Sequence, residues 1–329
     1  MKNNSRLVAW ALSALLISSM VMAQTPPAQN SMADMLARQA AIPDTQGTGP
    51  FASLKEETPS LPDHVIYRPA QLEKLGTTKL GVYIFGNGAC SDDGASSRLH
   101  LLEIASHGYI AIAPGRIRNG PGTTKPLDAP KPMQTDADGK PVFPPSPTKH
   151  TDLISALDWV LAQNTDSRSP YYKKIDTKAV AVSGYSCGGV QALRVAPDAR
   201  IKTLIVMNSG LFNPGTAPKG SEMDLPKSQL DLLHTPTLYI LGGSTDIAYN
   251  NGVDDFEHIN HVPVFLANVL NVGHGGTYWQ PNGGKAAQAV VAWLNWQLRS
   301  DKKAAAMFAG KDCGLCTDPA WEVRKKKID

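Results

Sequence analysis

The chain has 329 residues, 42% hydrophobic and 19% charged, with 32 Lys and Arg against 29 Asp and Glu. That balance excludes a disordered chain and a strongly basic nucleic-acid binder, and the length suits one large domain or two small ones. Gly (28) and Pro (25) are frequent enough to imply many loops and tight turns.

Lys2 and Arg6 precede an uncharged, mostly apolar stretch from Leu7 to Ala23, and Val21-Met22-Ala23 suits signal-peptidase recognition. Seventeen residues with three serines are short for a bilayer-spanning helix. Residues 1–23 therefore read as a signal peptide, and the mature protein as secreted or periplasmic, with no stable membrane insertion. No Cys stands at the cleavage point to accept a lipid. Residues 24–60 read as a leader with a helical segment from Ser31 to Ala41.

From about Thr78, strands and helices alternate, the pattern of a mainly parallel sheet covered on both faces. The predicted strands are Leu80–Phe85, Tyr109–Ala113, Thr177–Val182, Thr203–Met207, Thr237–Leu241 and Val262–Leu270. Helical periodicity marks Ser97–Ser106, Asp152–Gln163, Gly188–Val195 and a long stretch from Gly284 to about Phe308. Two segments break the rhythm. Residues 116–149 hold eight prolines between Pro121 and Pro147, and 208–230 hold prolines at 214, 218 and 226. The first has the length and irregularity of a loop that walls a substrate site. Its Asp-Ala-Asp-Gly run at 136–139 lacks the later ligands of a calcium loop and reads as a turn.

The informative segment is Gly184-Tyr-Ser186-Cys-Gly188-Gly189, which falls between an apolar strand and a helix. A serine in a tight strand-to-helix turn projects its hydroxyl outward, and flanking residues without Cβ avoid clashes. In this context Gly-x-Ser-x-Gly assigns Ser186 as a nucleophile. A carboxylate and an imidazole stand just past later strands. Thr237–Leu241 runs into Ser-Thr-Asp246, with Asp254 and Asp255 as alternatives. The last predicted strand runs into Gly273-His274-Gly-Gly. Seven other histidines precede the core, sit on helices or lie before strands.

The order Ser186, Asp246, His274 resembles the α/β-hydrolase superfamily, whose sequence order is nucleophile, acid, histidine. The segments Gly86-Asn-Gly-Ala-Cys90, Gly184–Gly189 and Gly273-His-Gly-Gly-Thr-Tyr278 are similar to a secreted, esterase-like branch. The resemblance covers about Leu80 to Cys316. It implies an α/β-hydrolase domain over 61–329 and an exported serine hydrolase cleaving carboxylic esters, with no metal or organic cofactor. Implied partners are small-molecule or carbohydrate-linked esters and not nucleic acid. A peptidase of the same fold and a non-catalytic hydrolase-fold binding protein are the rival readings.

The resemblance also implies an oxyanion hole built from two backbone amides. Cys187 supplies one. Related enzymes carry His-Gly-x on the early loop, whereas this chain has Asn87-Gly88-Ala89, so Ala89 is aligned as the second donor and Gly88 as the alternative. The two loops must then lie side by side, which implies a Cys90–Cys187 disulfide and leaves Cys313 to pair with Cys316. Buried free thiols at 90 and 187 are the competing expectation. Tyr185, Phe212, Tyr278 and Trp279 are candidate pocket walls, with ordinary packing as the alternative for each.

Overall fold

The computed structural model describes residues 32–128, 134–135, 141–142 and 145–329. The expected signal peptide, residues 24–31 of the expected leader and the expected turn at 136–139 lie outside the described residues. Among the described residues, no helix is long and apolar enough to cross a membrane.

Nine strands form one twisted sheet: β1 Ser53–Thr58, β2 Leu61–Pro69, β3 Leu80–Gly86, β4 Tyr109–Pro114, β5 Ile175–Tyr185, β6 Thr203–Met207, β7 Thr237–Leu241, β8 Val264–Val269 and β9 Trp321–Lys326. The spatial order is β1-β2-β4-β3-β5-β6-β7-β8-β9. Strands β3 to β8 run parallel to their neighbours within that set, while β2 is antiparallel to β1 and β4, and β9 is antiparallel to β8. The boundary expected at residue 61 falls inside the β1–β2 hairpin, so the sheet begins at Ser53. β1 reads Ser-Leu-Lys-Glu-Glu-Thr and carries no apolar alternation, because it is a half-exposed edge. At the opposite edge, β9 is rich in basic residues, a composition that discourages pairing with another chain.

The inner strands are apolar along their whole length because both faces are covered. Val82 and Ile84 of β3, Val180 and Val182 of β5, and Leu204 and Val206 of β6 point to one side. They meet helix α3 His150–Gln163 through Leu153, Leu157 and Val160, helix α4 Cys187–Val195 through Val190 and Leu193, and helix α5 Tyr249–His258 through Phe256. The alternate residues Tyr83, Phe85, Ala181, Ile205 and Met207 point to the other side. They meet helix α2 Arg98–Ser106 and helix α6 Gly284–Arg299, whose Val290, Trp293 and Leu294 are fully enclosed. Each such aliphatic or aromatic burial stabilises by about 1.5–3 kcal/mol. Helix α1 Met32–Ala41 lies outside this sandwich, and Arg98 Nη2 donates to its Gln39 carbonyl at 2.8 Å.

The helix expected to run from Gly284 to Phe308 stops at Arg299. Ser300 adopts a left-handed conformation, φ 56° and ψ 31°, and the Asp301 carboxylate caps the next turn by accepting from Lys303 N–H and Ala304 N–H. The apolar periodicity nevertheless continues, because Phe308 folds back onto Trp293 with ring centroids 5.0 Å apart.

Candidate active site

β5 ends at Tyr185 and α4 begins at Cys187, which leaves Ser186 as the whole turn. Its φ of 53° and ψ of −123° are disfavoured for a residue with a Cβ, at about 1–3 kcal/mol. The turn is this tight because glycines meet there. A Cβ on Gly184 would stand 2.0 Å from the Gly188 carbonyl oxygen, and one on Gly188 would stand 2.1 Å from that of Gly86. Ser186 N–H donates to Met207 O at 3.0 Å, and Ser209 Oγ donates to Ser186 O at 2.7 Å. The bend is thereby fastened to the end of β6.

The loops after β7 and β8 bring Asp246 and His274 to this turn. His274 Nε2 lies 3.0 Å from Ser186 Oγ, and His274 Nδ1 lies 2.7 Å from Asp246 Oδ1. The carboxylate can only accept, so Nδ1 carries the hydrogen and Nε2 is left to accept from the serine. Asp246 is 3% exposed and is held by three further donors. Ala248 N–H reaches Oδ1 at 2.9 Å, while Asn208 Nδ2 and Gly242 N–H reach Oδ2 at 2.8 and 3.0 Å. Burial opposes the charge, yet these hydrogen bonds, His274's foremost, hold the Asp246 carboxyl below the usual aspartate range. The alternatives Asp254 and Asp255 sit elsewhere, both 2.6 Å from Lys227 Nζ.

Asn208 is a residue the sequence reasoning missed. It follows the last residue of β6 with a left-handed φ of 44°, and its Oδ1 accepts from Tyr278 Oη at 2.8 Å. That bond fixes which end of the amide faces Asp246. Tyr278 packs against Tyr185, centroids 4.5 Å apart, and Tyr185 Oη donates to the His274 carbonyl at 2.9 Å. Asp246, His274 and three buried or half-buried polar side chains thus close a ring of contacts. The available signal was positional: ligand and catalytic groups of parallel sheets collect at strand C-termini, where Asn208 stands.

On the other side of Ser186, Ala89 and Cys90 both have positive φ, 55° and 46°. Cys90 is bonded to Cys187, and Thr148 donates to the Cys90 carbonyl through both N–H (3.0 Å) and Oγ1 (2.9 Å). The loop that carries Ala89 is therefore tied covalently to the residue after Ser186. Cys313 is bonded to Cys316 at the far end of the chain, next to α6.

These parts border one cleft of about 560 Å³, reached by Gly88, Ala89, Ser186, Cys187 and His274. Tyr185 and Trp279 form an aromatic wall, as their sequence positions suggested. Phe212 does not reach the cleft, and Tyr278 lies beneath it at 1% exposure, spending its hydroxyl on Asn208. Both irregular segments contribute: Asn119, Ser146 and Pro147 from the first, Ser221 and Met223 from the second. The start of α3, directly after the first segment, meets the second through His150 Nδ1 and Glu222 Oε2, 3.1 Å apart. Among the described residues, no cluster of three or more His, Cys, Asp or Glu side chains is placed to hold a metal ion.

No curated protein matches the chain. A family model described as PETase, PET hydrolase-like, matches residues 138–313, which is 176 of the 329 residues and includes Ser186, Asp246 and His274. With a match over more than half its length and a mostly parallel sheet flanked by helices, the chain belongs to the PET hydrolase-like family, ester hydrolases of the α/β-hydrolase fold.

Proposed function

We propose that this protein is an exported serine carboxylesterase acting through Ser186, His274 and Asp246. The observation that carries this reading is the hydrogen-bonded chain from Ser186 Oγ through the imidazole to Asp246. Ser186 attacks the ester carbonyl carbon as its proton passes to His274 Nε2. The resulting oxyanion faces the Ala89 and Cys187 amides, where a donor of this kind typically contributes about 10²–10³ in rate. Collapse expels the alkoxide, which takes the proton from His274. A water molecule, deprotonated by the same nitrogen, then releases the acid and restores Ser186.

Export is supported by the N-terminal sequence pattern and by two disulfides, which persist in oxidising compartments. Labelling with a fluorophosphonate, followed by peptide mapping, tests the chemistry. Modification of Ser186 in the wild type and none in Ser186→Ala is the expected result. Hydrolysis of 4-nitrophenyl acetate that survives Ser186→Ala would overturn the assignment.

A further inference from the structure

Two carboxamides border the cleft without using their hydrogen-bonding capacity. Asn119 is 6% exposed, and its amide makes no hydrogen bond among the described residues, Oδ1 included. Gln39, on the helix Met32–Ala41, is 8% exposed; its backbone carbonyl accepts from Arg98, but its side-chain amide is likewise unpartnered among the described residues. Leaving a buried acceptor such as Asn119 Oδ1 unpaired typically costs about 1–3 kcal/mol, so it calls for a partner, while the Gln39 amide lines the cleft ready to pair. The neighbourhood is otherwise well fixed. Arg118, the residue before Asn119, is clamped by Asp92 at 2.5 Å and Asp128 at 2.8 Å. The pair of amides is therefore not a loose surface feature.

Three more polar groups stand at the same end. Asp93 spends Oδ1 on Ala95 N–H and Arg118 N–H, leaving Oδ2 free to accept, and Ser97 lines the cleft without capping α2. Burial pushes the Asp93 carboxyl upward. Ser96 accepts from Trp279 Nε1 at 3.1 Å through its carbonyl, which sets the indole beside this polar end. An apolar group here would leave both amides unpaired, and an anion would face Asp93. A hydroxyl group both donates and accepts, as the two amides and the serine do, and it also satisfies a carboxylate.

We propose that the Asp93, Asn119 and Gln39 end of the cleft is a subsite for a hydroxylated portion of the ester substrate. This rests on the esterase reading and narrows it to esters of polyols or sugars, or of hydroxylated acids. Both sources share the same chemistry, and matched substrate pairs separate them. A methyl glucoside acetate against cyclohexyl acetate tests the alcohol side. The methyl ester of a dihydroxy acid against that of its deoxy analogue tests the acyl side.

The expected result is a kcat/KM preference of at least about tenfold for the hydroxylated member of one pair, carried mainly by KM, given the worth of one or two hydrogen bonds. In Asn119→Leu/Gln39→Leu that preference falls towards one. Parity within both pairs, or a preference unchanged in the double variant, would overturn the subsite. If the double variant does not fold, the wild type still decides. Competitive inhibition of 4-nitrophenyl acetate hydrolysis by free methyl glucoside or the free dihydroxy acid, and not by the hydroxyl-free counterpart, supports the proposal; equal inhibition or none refutes it. Failure of the esterase reading looks different, because 4-nitrophenyl acetate would then be inert and Ser186 unlabelled.

Discussion

The two halves of the candidate site are held by different forces. On the nucleophile side, Ser186, Ala89 and Cys90 all take positive φ, and a disulfide joins the two strained loops. On the acid–base side, no covalent link reaches Asp246 or His274. Their geometry depends on four donors to one carboxylate and on a ring of contacts through Asn208, Tyr278 and Tyr185. In the proposed mechanism, the difference follows from what each half must do. Oxyanion donors act by standing still, so pinning backbone suits them. A base that exchanges protons with serine, leaving group and water needs its ring oriented while its far nitrogen stays free, and hydrogen bonds at Nδ1 and the carbonyl supply that.

Removing a reacting group is the strongest way to break this comparison. Ser186→Ala and His274→Ala should each lower kcat by about 10⁴–10⁶, with Asp246→Ala somewhat milder. Circular dichroism should show the fold intact. A near-wild-type Asp246→Ala together with an inactive Asp255→Ala would move the acid to the wrong end of α5 and refute this arrangement.

The next test addresses the covalent half. Cys90→Ala/Cys187→Ala opens a loop spanning 97 residues, whereas the Cys313–Cys316 bond spans three. Chain entropy alone assigns about 4.7 kcal/mol to a loop of roughly a hundred residues and about 2 kcal/mol to one this short. Chemical denaturation should therefore separate the two double variants clearly. The active-site variant should also lose about 10–100-fold in kcat with KM nearly unchanged, since the donors would no longer be fixed in place. An unchanged kcat would mean that Thr148 and the glycine contacts position the loop without the bond.

A gentler change probes the hydrogen-bonded half. Tyr278→Phe keeps the ring against Tyr185 but removes the donor that orients Asn208. Its amide is then free to turn its oxygen towards Asp246. A loss of about 5–20-fold in kcat is expected, the equivalent of one or two kcal/mol, with the acid limb of the pH–rate profile displaced. Asn208→Leu should show the same displacement, and the two effects should be non-additive in a double variant. Additive effects on stability alone, with an unmoved pH profile, would make both residues merely structural.

How much of this was legible in the sequence follows the same division. The nucleophile turn is a local event, written in Gly184, Ser186 and Gly188 within five residues. The strands β3 to β8 were legible because burial on both faces makes them continuous apolar runs. Asp246 and His274 were legible through order along the chain rather than through their immediate neighbours. Asn208 was not, because its meaning lies in Asp246, 38 residues later, and Tyr278, 70 residues later. Gln39 and Asn119 were invisible for a related reason: an unpaired amide is defined by what fails to surround it. The edge strands β1 and β9 escaped because solvent, not a core, shapes one side of each. The helix break at Ser300 escaped because Phe308 keeps the apolar pattern going after the backbone has turned.

The smallest expected effect sets Asp246 against a second buried aspartate. Asp255 has no exposed side-chain surface and is held by Lys227 Nζ at 2.6 Å, Leu211 N–H at 2.8 Å and Tyr239 Oη at 3.2 Å. Burial dominates there and pushes its carboxyl up to about 6, despite Lys227. A carboxyl raised by folding binds its proton more tightly in the native state than in the unfolded chain. Its contribution to stability is therefore fully present below the unfolded pKa of about 3.9 and is lost as pH rises through about 6. Asp246 has the opposite sign. Its carboxyl is lowered by folding, so its contribution is present above the unfolded value and is lost as pH falls through the folded one. Unfolding free energies measured from pH 3 to 8 should separate them. Asp255→Asn should flatten the decline between about pH 4 and 6, while Asp246→Asn should weaken the loss at the acid end. A wild-type curve that keeps rising from pH 4 to 6 and is unaltered by Asp255→Asn would show that Lys227, rather than burial, governs this carboxyl. The pair would then be an ion pair holding the 208–230 segment against α5 throughout that range.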